Sequence, residues 1–150
     1  MKKTFLTAAI ISLSIISHGQ IFLQAGAGYS LKAKSPTVEL MAGGIFRDQL
    51  VISGGLQTHT QNVKTNACLF QGRLGFQIHA SEYTRIIPYV GVSQFYKSSD
   101  NKELNITRPL FALEVNQELN APGASVYLGS SLSGSLVIVS AGMRFSFLRD

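Results

Sequence analysis

The chain has 150 residues, 45% of them apolar, a formal net charge of +5, one cysteine and no tryptophan. That length holds one domain, and a single cysteine, Cys68, excludes an internal disulfide. No segment carries a run of like charges, so the basic balance is not a nucleic-acid footprint.

The opening "MKKTFLTAAIISLSIISHGQ" places Lys2 and Lys3 before an apolar run from Phe5 to Ile16, then Ser17-His18-Gly19 before Gln20. The run is shorter than the ~20 residues a membrane-spanning helix needs, so residues 1–19 read as a cleaved secretory signal. Residues 20–150 then form the mature domain, with no cysteine near the cleavage site to carry a lipid. Removing Lys2 and Lys3 takes the 13 basic residues to 11 against 8 acidic ones, a mild net +3. No later apolar run is long enough for a spanning helix, so the hydrophobicity is spent in strands.

Period-two alternation recurs along the whole mature chain, with turn signals between the stretches. In "IFLQAGAGYSL", Ile21, Leu23, Ala25, Ala27, Tyr29 and Leu31 alternate with Phe22, Gln24, Gly26, Gly28 and Ser30. "TVELMAGGIFR" sets Val38, Leu40, Ala42 and Phe46 opposite Glu39, Gly43 and Arg47. "LVISGGLQTH" (50–59) is third. The fourth, about 67–79, contains "CLFQGRLGFQIH", with Cys68, Phe70, Leu74, Phe76 and Ile78 on one face and Gln71, Arg73, Gln77 and His79 on the other. "RIIPYVGVSQFY" (85–96), "RPLFALEVNQEL" (108–119), "ASVYLGSSL" (124–132) and "LVIVSAGMRFSF" (136–147) complete eight candidate strands. Each is near the roughly 9–11 residues that cross a bilayer at a tilt.

Short turns are expected at 47–49, 80–84 and 119–123, and longer polar loops at 32–36, 60–66 and 97–105, with a short one at 133–135. Short turns on one side and longer loops on the other suit an eight-stranded antiparallel up-and-down transmembrane β-barrel. An even strand number puts both termini on the short-turn, periplasmic side.

Alternation alone fits a soluble lipid-binding barrel equally well, since the two are inside-out versions of each other. The charges separate them. Glu39, Arg47, Arg73, Glu114 and Arg144 fall on the face opposite the large apolar side chains, as does Arg85 if Val90 and Val92 point outward. On the lipid face at mid-depth an arginine would cost about 2–4 kcal/mol, whereas in a lumen it avoids that cost. The apolar face also carries small residues (Ala25, Ala27, Ala42, Gly44) that a soluble core would fill with bulk. Tyr29, Phe70, Tyr96 and Phe111 fall towards the loop side, and Phe46, Phe145 and Phe147 towards the turn side, which matches two interfacial girdles. Lipid outside and a packed polar lumen inside is the expectation.

In strand style, "GAGYSL", "RIIPYVGVSQFY" and "AGMRFSF" resemble the small eight-stranded outer-membrane β-barrel family, the type found as the N-terminal barrel of outer membrane protein A and its short relatives. The resemblance covers the mature chain. It implies an integral outer-membrane location, contact with outer-membrane lipid and lipopolysaccharide, and a final strand read by the outer-membrane insertion machinery. "LRD" after Phe147 departs from the pattern, in which the aromatic is usually last.

Eight strands enclose room for side chains but not for an aqueous channel. Charges sealed there must pair, and Glu39, Arg47, Arg73, Glu114 and Arg144 form the expected lumen charge network, either as structural pairs or as the lining of a narrow gated pore. Every lysine of the mature chain (Lys32, Lys34, Lys64, Lys97 and Lys102) falls in or beside an expected loop. Lysine binds phosphate without fixed geometry, so this rim is a candidate for lipopolysaccharide phosphates, against the plain alternative that loops carry solvating lysines. His79 and Ser81 form a short His-x-Ser pair of the kind that lipid-A-modifying barrel enzymes use, since a histidine base can activate a serine held by a third group. Against it, the pair falls at the turn end, and no acid follows at a persuasive spacing. His59 lacks partners for a metal site. The sequence reads as a monomeric, non-enzymatic outer-membrane barrel without cofactor or nucleic-acid partner, supporting envelope structure or surface interaction. A lipid-A acyl hydrolase and a small-solute channel are the alternatives.

Overall fold

The structure, a computed structural model, describes residues 19–59, 66–99 and 102–147, and at 66, 67, 97–99 and 102–105 only the backbone. The expected signal segment lies outside the described residues except for Gly19, which opens the first strand. In chain order the strands are β1 (Gly19–Ser30), β2 (Ser35–Phe46), β3 (Leu50–His59), β4 (Asn66–Phe76), β5 (Ile78–His79), β6 (Thr84–Ser99), β7 (Lys102–Glu118), β8 (Ala124–Ser133) and β9 (Leu136–Phe147). β4 and β5 are two parts of one wall strand broken at Gln77, and both pair with β6. Every neighbouring pair is antiparallel, and the pairings β1–β9 and β4–β6 close the sheet into an eight-stranded barrel.

The register fixes the barrel's width. Starting at Gln20 and stepping through Ile45, Val51, Gly75, Tyr89, Ala112, Ser131 and Ile138 returns the path to β1 at Ser30. The offset from position 20 to position 30 is a stagger of ten residues. Closure with such a stagger demands strands tilted by roughly 35–45°, and eight strands leave an interior that side chains fill.

The two faces differ as alternation requires. Leu23, Leu40, Val90, Val92, Phe111 and Leu128 stand 47–59% exposed on the outside. Among the described side chains no outward strand position carries a charge. So much contiguous exposed apolar surface is a membrane-facing property rather than that of a water-soluble monomer. Inside, Phe22, Met41, Val51, Leu69, Ile87 and Tyr89 pack beside polar side chains that are equally buried.

Three expectations are corrected. The polar stretch 97–105 is strand wherever it is described, at 97–99 and 102–105: β6 and β7 form a ladder from Thr84↔Gln117 to Ser99↔Lys102. β8 reaches β7 only as far as Leu110↔Ser133, so this hairpin rises above the β8 side of the wall. The connections at the two ends are therefore similar in length; what differs is the strand extension on one side. Arg47 does not face the lumen. The chain is already turning there, with Arg47 and Asp48 both in the left-handed region (φ 49° and 57°), and Arg47 is exposed.

Candidate functional site: the polar lumen and its two mouths

Arg144 on β9 and Glu114 on β7 form an ion pair across the lumen, with side chains 4% and 3% exposed. Gln24 on β1 bridges them: its Nε2 donates to Glu114 Oε2 at 3.0 Å, and its Oε1 accepts from Arg144 Nε at 3.0 Å and Nη2 at 2.7 Å. Asn116 Nδ2 donates to Glu114 Oε1 at 2.7 Å, and Arg144 Nη2 to the Tyr89 hydroxyl at 3.3 Å. The guanidinium carbon also lies 4.2 Å from the centre of the Phe22 ring, a cation–π contact. A buried ion pair survives desolvation only when its remaining donors and lone pairs are also met, and here both Glu114 oxygens and the Arg144 Nε and Nη2 groups have partners.

The other two lumen charges do not touch each other. The Tyr127 hydroxyl donates to Glu39 Oε1, and Gln57 Nε2 reaches Glu39 Oε2 at 3.5 Å and Thr37 Oγ1 at 3.3 Å. Gln71 Nε2 donates to Gln57 Oε1 at 2.9 Å, while Gln71 Oε1 accepts from Arg73 Nε at 2.8 Å. Two amides thus carry a relay from Glu39 to Arg73, whose guanidinium lies 5.9 Å from the Tyr89 ring centre. Tyr89 joins this relay to the Arg144 cluster. Lumen charges Glu39, Arg73, Glu114 and Arg144 sum to zero.

Close backbone approach makes room for this crowd. A Cβ on Gly26 would fall 1.9 Å from the Tyr127 hydroxyl, and one on Gly75 would fall 2.5 Å from the Tyr89 ring. The lumen glycines are the hollows into which the aromatic rings fit.

At the loop mouth Lys32 and Lys34 are exposed, and Lys32 Nζ donates to Ser135 Oγ at 2.6 Å, tying two connections together. Lys97 and Lys102 sit near the tip of the β6–β7 hairpin, where the backbone alone is described, and Lys64 lies outside the described residues. Arg108 joins this mouth beside the β8–β9 turn, where Gly134 (φ +60°) leaves no space for a side chain against it. Sequence reasoning missed the contact of Ser35 Oγ with His59 Nδ1 at 2.9 Å, which also sits here; an up-and-down order pairs their two strands, but only the register brings these residues together.

His79 and Ser81 are at the opposite end. His79 is exposed on β5, and Ser81 Oγ accepts from the backbone N–H groups of Tyr83 (3.4 Å) and Thr84 (3.1 Å), closing the β5–β6 turn. Arg85 and Glu118 form a second ion pair at this mouth, at 2.5 Å. Cys68 is half-buried on the outward face.

No family model and no curated protein matches the chain. Solved structures do. The N-terminal β-barrel domain of Pseudomonas aeruginosa OprF aligns over 87% of this chain and 98% of that one, with a TM-score of 0.69 and 11% identity. A de novo designed transmembrane β-barrel aligns over 87% and 98%, with a TM-score of 0.65 and 16% identity. Ail, the attachment invasion locus protein of Yersinia pestis, solved in complex with the heparin analogue sucrose octasulfate, aligns over 87% and 99%, with a TM-score of 0.58 and 11% identity. At such identities the likeness is one of fold, and the fold is that of the small eight-stranded outer-membrane β-barrels.

Proposed function

We propose that the chain is an integral outer-membrane barrel, both termini periplasmic, that performs no chemistry and holds anionic outer-leaflet lipid at its loop rim. The partition of charge carries this reading. Glu39 and Glu114 are locked in a neutral lumen, and the other described acidic side chains, Asp48, Glu82 and Glu118, sit at the turn end. What remains at the loop mouth is Lys32, Lys34 and Arg108, and the same connections carry in sequence three more lysines (Lys64, Lys97, Lys102) against two acids (Asp100, Glu103), so the rim stays net positive. Ail, of the same fold, was solved with a polyanion, which supports a cationic rim as a binding surface. The engagement of Ser81 in its turn, away from the rim, supports a non-enzymatic role. The outward Phe145 and Phe147 near the end of β9 suit recognition by the insertion machinery, and the barrel wall, closed on itself without a free sheet edge, suits a monomer.

The test is the affinity of the detergent-solubilised barrel for micelle-dispersed lipopolysaccharide and for its dephosphorylated form, compared after capture of the barrel on a surface. Phosphate-dependent binding is expected, lost when Lys32, Lys34, Lys64, Lys97 and Lys102 are all changed to Gln and weakened by salt. Equal affinity for the two forms would overturn the rim assignment.

A further inference from the structure

On the outward wall a hollow of about 440 Å³ lies over β3, β4 and β6, with Leu56, Phe70, Gly72, Val92, Gln94 and Thr107 among its walls. All six are exposed on the outside of the barrel. The register sets them in two rungs. Leu56, Phe70, Gln94 and Thr107 are cross-strand partners in succession, and Gly54, Gly72 and Val92 form the next outward rung towards the turns. Gly72 is the floor, with Leu56, Phe70 and Val92 around it. Nothing within the protein calls for glycine there. A Cβ on Gly72 would meet only Val92 Cγ2, at 3.9 Å, an ordinary contact, whereas Gly26 and Gly75 make room for lumen aromatic rings. The ladder also runs through Gly72 without a bulge. A strand glycine with neither a bulge nor a packing neighbour to explain it fits a close approach from outside.

The hollow is continuous with the lipid-facing wall, and its polarity runs one way. Gln94 and Thr107 stand on the rung nearer the loops, where Tyr96 and Asn105 follow them, and the rung nearer the turns holds only glycine and valine. A membrane lipid has the same gradient, with polar ester groups at the interface, where tyrosines gather, and methylenes towards the midplane. Left empty at hydrocarbon depth, the hollow would leave its lining without partner atoms. A chain seated in it meets side chains on three sides, where one lying on the convex wall meets them on one.

We propose that this hollow seats one acyl chain of a membrane lipid from the loop-side leaflet, its ester end at Gln94 and Thr107 and its methylenes over Gly72 between Leu56, Phe70 and Val92. The assignment rests on the lipid-facing wall and is independent of the cationic rim.

The experiment is photo-crosslinking of the full barrel in phosphatidylcholine vesicles that carry a trace of the same lipid with a diazirine in mid-chain, the adducts being placed by mass spectrometry. Leu40, the cross-strand partner of Leu56, and Leu128 on the far wall are like-for-like controls. Both are more exposed than Leu56, 53% and 59% against 37%, so exposure alone predicts less label at Leu56. The seated chain instead predicts at least about threefold more label at Leu56 than at either control, a bias that a few added dispersion contacts supply. Gly72→Leu fills the hollow and should bring Leu56 down to the level of Leu40 or below, with heat-modifiable gel mobility showing that the barrel still closes. Label at Leu56 no greater than at the controls, or an excess that persists in a closed Gly72→Leu barrel, would overturn the proposal. Label at Leu56 that falls further as the protein-to-lipid ratio rises would overturn it in favour of a contact between copies of the barrel. Should Gly72→Leu not close, the comparison of Leu56 with Leu40 and Leu128 in the unaltered barrel decides.

Discussion

A buried guanidinium needs more than one carboxylate oxygen, and Arg144 has Glu114, the Gln24 carbonyl, the Tyr89 hydroxyl and the Phe22 ring around it. The pair's value is conditional on both members. Glu114→Ala leaves a charge in the lumen without its counter-ion, a situation that costs about 3–5 kcal/mol. Replacing both residues, Glu114→Leu with Arg144→Met, removes the charge problem altogether and should cost less than the single change. Urea unfolding in lipid vesicles measures both. A single variant within about 0.5 kcal/mol of the unaltered barrel, the range of an inconsequential surface change, would contradict the assigned role. That Glu39, Arg73, Glu114 and Arg144 share one face was legible from alternation, because period two assigns a face without tertiary information. Which charges pair was not legible. Pairing depends on the ten-residue stagger and on Gln24, Gln57 and Gln71 as intermediaries, which no local pattern encodes.

At the scale of elements, the sequence misled where the side-chain pattern and the backbone pairing part company. Residues 97–105, "KSSDNKELN", read as a loop because they are polar throughout. Strand pairing runs through backbone groups and needs no alternation of side chains, so the ladder continues to Ser99↔Lys102 although period two has vanished from the sequence. The break at Gln77 was hidden in another way. Phe76 and Ile78 both stay outward, 49% and 48% exposed, so the alternation runs through it unmarked. Gln77 instead gives its backbone N–H to the Gln49 carbonyl and its side chain to Asp48, pinning the β2–β3 turn. The hairpin tip lies beyond the β8 partner, and on its other side β4 reaches it only with the last rung of its ladder, Asn66↔Ser98, so the wall depends on the tip little. Deleting Ser98, Ser99, Lys102 and Glu103 together shortens the hairpin by two pairs and keeps its parity. The expected change in unfolding free energy in vesicles is within about 0.5 kcal/mol, and a loss of several times that would mean that the tip helps to close the barrel.

For the whole molecule, the apolar surface is outside and the charge is in the lumen and at the two mouths. This inverted arrangement explains how a chain rich in apolar residues and without a spanning helix among its described residues can still be a membrane protein. The closed sheet satisfies its backbone groups strand to strand, which hydrocarbon demands, and the neutral lumen removes any need for water at mid-depth. The most direct measurement is a nitroxide accessibility scan along β6, one label at a time at Tyr89, Val90, Val92 and Ser93, with Cys68→Ser removing the native thiol. Oxygen, concentrated in the lipid, should relax the labels at Val90 and Val92 far more than those at Tyr89 and Ser93. A water-soluble nickel reagent relaxing the Val90 and Val92 labels instead would contradict the lipid-facing wall.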